Sequence, residues 1–303
     1  MVLDRAGRNS GMVIPGIGIE YEGSIERLKG CPAFEEKYRI ARLSSTCDRL
    51  HADGKDTLHS SEDTLENQKL SYVVNCAMCD LFMGGGFEPD HVIGYSMGLY
   101  AALYAGGYCS FETGLKVIEL AYEAVSGWCQ QQSDGFGMAI LLGLTEEELR
   151  RLLFEGIEGE VDIAVYNGSR SYVVSGTRPA LLKVLERSIR SGAISARLIG
   201  TEHPYHHRFL EPSAGEFATA LETLEFFRPR FKVLSLLNGR PIGSNEVVSA
   251  VSRALCSPLR FDETIRGAVE SGVRQYFETG PKKAMSKLMR YIDKRLRVRG
   301  LED

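Results

Sequence analysis

Gly94-Tyr95-Ser96-Met97-Gly98 is the stretch of this 303-residue chain whose residue types best suit covalent chemistry. It matches the pattern G-x-S-x-G. A run containing β-branched residues, His91-Val92-Ile93, precedes it, and a small-residue run, Met97 to Ala105, follows. That order predicts a strand, a sharp turn and a helix, an elbow that exposes a serine hydroxyl at a sheet edge. The glycines relieve crowding at the turn. The N-terminus of the following helix aims partial positive charge at any oxyanion formed there. A plain tight turn around a buried serine would show the same pattern.

A serine nucleophile needs a base, and the chain has six histidines, at 51, 59, 91, 203, 206 and 207. His51 and His59 sit in a polar, charged stretch. His91 lies too near Ser96 in sequence to fold back on it. The cluster Glu202-His203-Pro204-Tyr205-His206-His207 falls between a predicted strand and a predicted helix, where a loop can reach a sheet edge. Exposed loop histidines would look the same. A metal site is a further reading of His203, His206 and His207, but Pro204 argues against the helix that would align them and carboxylates nearby are few.

The remaining chemistry-bearing residues are less pointed. Seven scattered cysteines, an odd number, do not form a disulfide framework. Cys76-Ala77-Met78-Cys79 is a lone C-x-x-C in an apolar stretch and reads as buried thiols, because zinc would need two more ligands at matching spacing. No metal is expected. With 44% hydrophobic residues the chain can build a real core, and a net charge of −4 gives no general pull toward nucleic acid or anionic membrane. The polar N-terminus, Met1 to Gly11, lacks the apolar centre of a signal peptide, and no apolar run approaches the ~20 residues of a membrane span. A cytoplasmic enzyme is the expectation.

The elements that must hold these residues read as follows. Strands are expected at Met12 to Ile14, around His91 to Ile93, at Lys232 to Leu236 and at Gln275 to Glu278. Helices are expected at 64–83, 97–105, 112–125, 211–224 and 246–255, with a basic helix ending the chain. Between them the texture changes. Met138 to Leu142 reads as a strand, and Thr145 with Glu148 forms a capping box that opens a helix to about Phe154. Val161 to Tyr166 and Ser171 to Val174 read as strands joined by an Asn167-Gly168 turn. A helix at 178–191 and a strand at Ala196 to Ile199 complete the order βαββαβ. The domain reading is therefore an α/β-hydrolase-like catalytic domain, residues 1–134 and 201–303, with an inserted ferredoxin-like subdomain, residues 135–200.

With these motifs in order, the chain resembles the malonyl-CoA:acyl-carrier-protein transacylase family, including the free-standing acyltransferases of polyketide synthesis. Ile14-Pro15-Gly16-Ile17-Gly18 is similar to the family's N-terminal F-P-G-Q-G block. Gly94 to Leu103 is similar to its G-H-S-L-G-E-Y-x-A-L, and His203-Pro204-Tyr205-His206 to the block that ends in its catalytic histidine. Val173 to Gly176, just after Asn167, Ser257 to Phe261, and Phe277 to Pro281 are similar to three further blocks. The resemblance implies a nucleophile at Ser96 and a general base at His206. It also implies an oxyanion hole from the backbone N–H groups of Met97 and Ile17. A backbone carbonyl in place of a third acid is implied too, and the carbonyl of Arg260 is the candidate. Tyr95 and Tyr205, which flank the two catalytic positions, are assigned with Ala121 to substrate binding. The expected partners are an acyl carrier protein and an acyl-CoA or acyl-phosphopantetheine thioester, with no separate cofactor.

The chain departs from the family at three places. Ile17 replaces a glutamine, and Tyr95 and Leu99 replace the residues around the nucleophile. The third departure bears on substrate. In malonyl-selective members an arginine binds the free carboxylate, and that position falls on Ala121 here, between Leu120 and Tyr122. A buried carboxylate without a partner keeps its desolvation cost, several kcal/mol on typical figures. The expectation is transfer of a non-carboxylated acyl group in polyketide or fatty-acid biosynthesis. The alternatives are a carrier thioester hydrolase and malonyl transfer with a relocated cation such as Arg208 or Arg170. Residues 282–303 carry eight Lys/Arg against three Asp/Glu, a net of +5. Lys282, Lys283 and Lys287 are therefore candidates for docking an acidic carrier, and a solvated helix face would carry the same charges.

Overall fold

The computed structural model describes residues 9–17, 24–43, 63–154, 157, 159–280 and 283–300. The first elements are β1 (Ser10–Ile14), α1 (Ser24–Leu28), α2 (Pro32–Ala41), α3 (Leu65–Gly84), β2 (His91–Gly94), α4 (Gly98–Gly106) and α5 (Phe111–Gln130). Next come β3 (Phe136–Leu142), α6 (Glu146–Phe154), β4 (Val161–Gly168), β5 (Ser171–Thr177), α7 (Arg178–Arg190) and β6 (Ser195–Leu198). A 3-10 turn (Arg208–Leu210) leads to α8 (Glu211–Leu221), β7 (Lys232–Leu234), α9 (Val247–Cys256) and β8 (Leu259–Arg260). The last are α10 (Phe261–Glu270), β9 (Gln275–Glu278), α11 (Ala284–Ile292) and β10 (Arg297–Arg299).

The main sheet runs β10-β9-β1-β2-β7, parallel throughout. A parallel sheet is covered on both faces, so its strands read as continuous apolar runs, and all five residues of β1 are buried. Successive residues feed opposite cores. Met12, Ile14 and Val92 pack with α3, α4 and α5, whereas Val13 and Ile93 pack with α10 and α11. Because all strands point one way, their C-terminal ends share an edge, where ligands of open α/β sheets sit. That edge carries the Pro15–Ile17 turn after β1, the Ser96 elbow after β2 and the Thr279-Gly280 turn after β9. The turns touch: a Cβ on Gly280 would lie 2.3 Å from Pro15 Cγ.

The second sheet runs β6-β3-β5-β4-β8. Its first four strands, with α6 and α7, give the βαββαβ order, and every pair among them is antiparallel. This is the ferredoxin-like arrangement inserted in an α/β-hydrolase-like fold. One face packs on α6 and α7 through Leu149, Leu181 and Val184. The other contributes Met138, Val165 and Val173 to the core beneath the main sheet. The fifth strand, β8, comes from the chain beyond residue 200 and pairs parallel to β4, Val165 facing Leu259. The sheet is thus wider than the 135–200 segment.

Three local expectations change. The turn between β4 and β5 is Ser169-Arg170, not Asn167-Gly168, because a bulge between Tyr166 and Gly168 keeps the glycine in the strand. The basic helix does not end the chain: β10 follows it at the sheet edge. Charges at Arg297 and Arg299 leave only Val298 to face the core, so the strand has no readable apolar alternation. Finally, α2, opened by Pro32 at its first turn, is an element the periodicity does not announce. Cys76 and Cys79 are fully buried in α3, and burial raises both thiols.

Candidate active site

Ser96 sits on the expected elbow, between β2 and α4, with φ +53°. A non-glycine residue with positive φ is uncommon and is held by its surroundings. Here the surroundings are two glycines. A Cβ on Gly94 would stand 2.4 Å from Gly98 O, and one on Gly98 would stand 2.4 Å from Ile14 O. Strand, turn and helix close on one another at distances no side chain permits. Gly16 lets the Pro15–Ile17 turn approach in the same way, since its Cβ would lie 2.8 Å from Tyr95 O and 3.6 Å from Met97 N. Ile17 and Met97, the two expected oxyanion donors, both line the cavity onto which Ser96 opens.

His206 comes from the loop after the second sheet, 110 residues on, and its Nε2 is 2.8 Å from Ser96 Oγ. Its φ is +62°. The residue expected to orient it is not the one that does. Nδ1 lies 2.5 Å from the carbonyl of Ala254, while the carbonyl of Arg260 accepts from Thr264 Oγ1 at 2.8 Å. The reason is the end of α9. The last four carbonyls of a helix lack intrahelical donors. Two of them are used by one residue: Ala254 O takes the imidazole and Leu255 O takes the His206 backbone N–H at 2.7 Å. A carbonyl only accepts, so Nδ1 carries the proton and Nε2 presents its lone pair to Ser96. The ring is buried, and desolvation lowers its pKa from 6.5 to about 4 against the opposing pull of the Ala254 carbonyl.

The other histidines have separate tasks. His91 is buried in β2, 3.0 Å from Tyr276 OH. His207 is fully buried and its Nδ1 accepts from Phe209 N at 3.1 Å, capping the 3-10 turn. His203 lies 2.7 Å from Asp63. His51 and His59 lie outside the described residues. Among the described residues no group of three or more His, Cys, Asp or Glu is arranged to hold a metal ion.

The cavity beside Ser96 is small, about 30 Å³, and holds Ala121, Tyr205 and Gln68 on its wall. Among the described residues, no lysine or arginine lines it. The two candidates for a relocated cation are elsewhere. Arg170 donates to Gly143 O at 2.5 Å on an exposed turn. Arg208 pairs with Asp162 in a wider groove of about 550 Å³ on the other side of His206. Tyr95 does not reach the cavity either. Its side chain turns to the core between the sheets, where the hydroxyl donates to Asn167 Oδ1 at 3.0 Å and the ring meets Phe261 edge-on. Of the docking candidates, Lys283 and Lys287 are exposed, at the start of α11 and one turn into it. Lys282 lies outside the described residues.

Gln68 escapes a search for reactive residues, yet a signal exists. Gln68, Ser71 and Asn75 recur at helical spacing on the buried face of α3, and all three are buried. A buried polar stripe is the informative exception to apolar packing. The Ala254 carbonyl leaves no such signal, since every residue carries one.

A serine on a strand-to-helix elbow, facing a histidine whose other nitrogen is fixed, has the arrangement of a nucleophile and its base in α/β enzymes that form acyl esters on a serine hydroxyl. Residues 55–291 match the family model of the acyl transferase domain, and the chain belongs to that family; it is an acyltransferase. It is 27% identical over 280 residues to the malonyl CoA-acyl carrier protein transacylase of Synechocystis sp., covering 91% of each chain. It is 29% identical over 294 residues to the polyketide synthase GfsA of Streptomyces halstedii, 93% of this chain but 4% of that one. The chain therefore spans only a small part of that synthase. Among solved structures, the malonyl CoA-acyl carrier protein transacylase of Coxiella burnetii superimposes with a TM-score of 0.86 at 23% identity, covering 97% of this chain and 93% of that one. Among the described residues no helix is long and apolar enough to cross a membrane.

Proposed function

We propose that this acyltransferase moves a short, uncharged acyl group from a CoA or carrier thioester to the phosphopantetheine thiol of an acyl carrier protein, through an ester on Ser96. His206 Nε2 takes the hydroxyl proton as Oγ attacks the thioester carbon. The N–H groups of Met97 and Ile17 hold the resulting oxyanion. Collapse breaks the C–S bond, and the departing thiolate takes the proton from His206. The carrier thiol then gives its proton to Nε2, attacks the acyl-serine and releases Ser96, which recovers the proton. While charged, the imidazolium lies against the C-terminal carbonyls of α9, where a helix dipole favours a cation.

The observation that carries the choice of acyl group is the cavity. It is small, about 30 Å³, which suits a short acyl chain, and acetyl is the proposed cargo. A malonyl group would bury a carboxylate beside Ala121 with no lysine or arginine among the described residues of the wall, leaving the charge unpaired. The carrier's approach is assigned to α11, whose Lys283 begins at the sheet edge that also carries Ser96.

Intact-mass spectrometry after incubation with acetyl-, butyryl-, malonyl- and methylmalonyl-CoA tests this reading. Acetyl should load fastest, and Ser96→Ala should gain no acyl mass. Malonyl loading well above acetyl would overturn the choice of cargo. Adding a phosphopantetheinylated carrier should then move the acyl mass from enzyme to carrier. Its loss to water at the same rate with and without carrier would make the enzyme a thioester hydrolase.

A further inference from the structure

Four side chains converge on the carboxylate of Asp63, two positions before α3. Gln68 Nε2 donates to Oδ1 at 2.6 Å and Thr201 Oγ1 donates to Oδ2 at 2.7 Å. His203 Nδ1 is 2.7 Å from Oδ2, and the Tyr205 hydroxyl points to Oδ1 at 3.5 Å. The Asp63 side chain is 2% exposed. Nothing in the proton path from Ser96 to His206 uses this cluster.

Ser126 Oγ lies 3.1 Å from His203 Nε2, so Ser126, His203 and Asp63 stand in the order of a hydrolytic triad. Ser126 is in the interior of α5, where the neighbouring backbone N–H groups belong to the helix ladder. A nucleophile there has no oxyanion donors, and without them the triad order does not make an active site.

The cluster reaches the acyl cavity through Gln68 and Tyr205, which line it together with Ala121. Gln68 Nε2 also donates to the Tyr205 hydroxyl at 2.9 Å, so both of its N–H groups are committed. The tyrosine proton is turned toward Asp63. Gln68 and Tyr205 could otherwise donate to an acyl carboxylate; here both are drawn to the far side. A carboxylate lies one hydrogen bond behind them. We propose that Asp63 is a specificity-determining residue that makes the acyl pocket reject carboxylated acyl groups. It acts by position, through Gln68 and Tyr205. The inference rests on the acyl-transfer reading above and adds a second determinant to it.

The test compares wild type, Ala121→Arg, Asp63→Asn and the double variant, each incubated with acetyl-CoA and malonyl-CoA. The readout is the ratio of malonyl to acetyl mass on the enzyme. A merely structural role for Asp63 would lower both loadings and leave that ratio alone. In the single Ala121→Arg variant the new guanidinium is drawn to Asp63, and the ratio should stay near the wild-type value. In the double variant it should rise by roughly tenfold or more, since like charge no longer opposes the malonyl carboxylate. Asp63→Ser, small enough for a water to satisfy Gln68 and His203, serves the same comparison if the Asn variant does not fold. Rapid malonyl loading of wild type would sink the uncharged-cargo reading itself. A wild type that refuses malonyl, with equal ratios in the single and double variants, would sink the role of Asp63 alone.

Discussion

His206 combines two features that pull in different directions. Its burial keeps the ring neutral, which a general base requires, and its contact with Ala254 O readies it for a proton once the reaction delivers one. Removing the ring leaves Ser96 with no acceptor, so His206→Ala should slow self-acylation by ~10²-fold or more, the usual share of a general base. His207→Ala, which removes a turn cap, should cost stability before it costs rate. The pH dependence follows from the direction of the shift. The base works when neutral, and its pKa is lowered to about 4. Self-acylation should therefore keep more than half of its rate at pH 5.5 and fall only as pH approaches 4. An acid limb centred near 6.5 would mean that water reaches the ring.

Two helices matter beyond their packing. The α9 helix ends where its free carbonyls can hold His206, so the site depends on a helix terminus rather than on a third acid. The α11 helix begins on the edge that carries Ser96 and presents Lys283 and Lys287 to solvent. Reversing both charges should raise the Michaelis constant for an acidic carrier several-fold while self-acylation from a small CoA thioester stays unchanged. Added salt should imitate the reversal, because exposed charges are screened beyond about 8–10 Å at physiological ionic strength. Carrier kinetics indifferent to both changes would make α11 ordinary surface.

For the whole molecule, three buried rings set the response to acid. His91, His206 and His207 each have a pKa lowered from 6.5 to about 4, in every case chiefly by desolvation. A ring that resists protonation when folded contributes stability that is complete above 6.5 and is lost as pH falls toward 4. Each contributes roughly 1.4 kcal/mol per pH unit in that window. Glu278 works the other way. It accepts the N–H groups of Met285 and Ser286 at 2.9 Å each at the start of α11, yet burial raises its pKa to about 7. Its contribution is complete below 4.5 and fades as pH rises through 7. Three rings outweigh one carboxyl, so the melting temperature should drop steeply between pH 6.5 and 4.5. A flat melting profile across that interval would show that the rings are not buried as neutral groups.

Much of the site could be read from residue order because its parts are local. The elbow needs a strand, two glycines and a helix within about a dozen residues, and close backbone approach admits no other residue at Gly94 and Gly98. The βαββαβ order of residues 136–198 was legible for the same reason, since strand and helix periods declare themselves in short windows. Contacts between distant segments were not legible. The pairing of β8 with β4, the turn of Tyr95 toward Asn167 and the convergence of Thr201, His203 and Tyr205 on Asp63 join residues 72 to 142 positions apart. The choice of Ala254 over Arg260 as the partner of His206 is the clearest case. Both offer the same backbone carbonyl, so composition cannot separate them; only the packing of the 203–207 loop against the open end of α9 decides which one the imidazole meets.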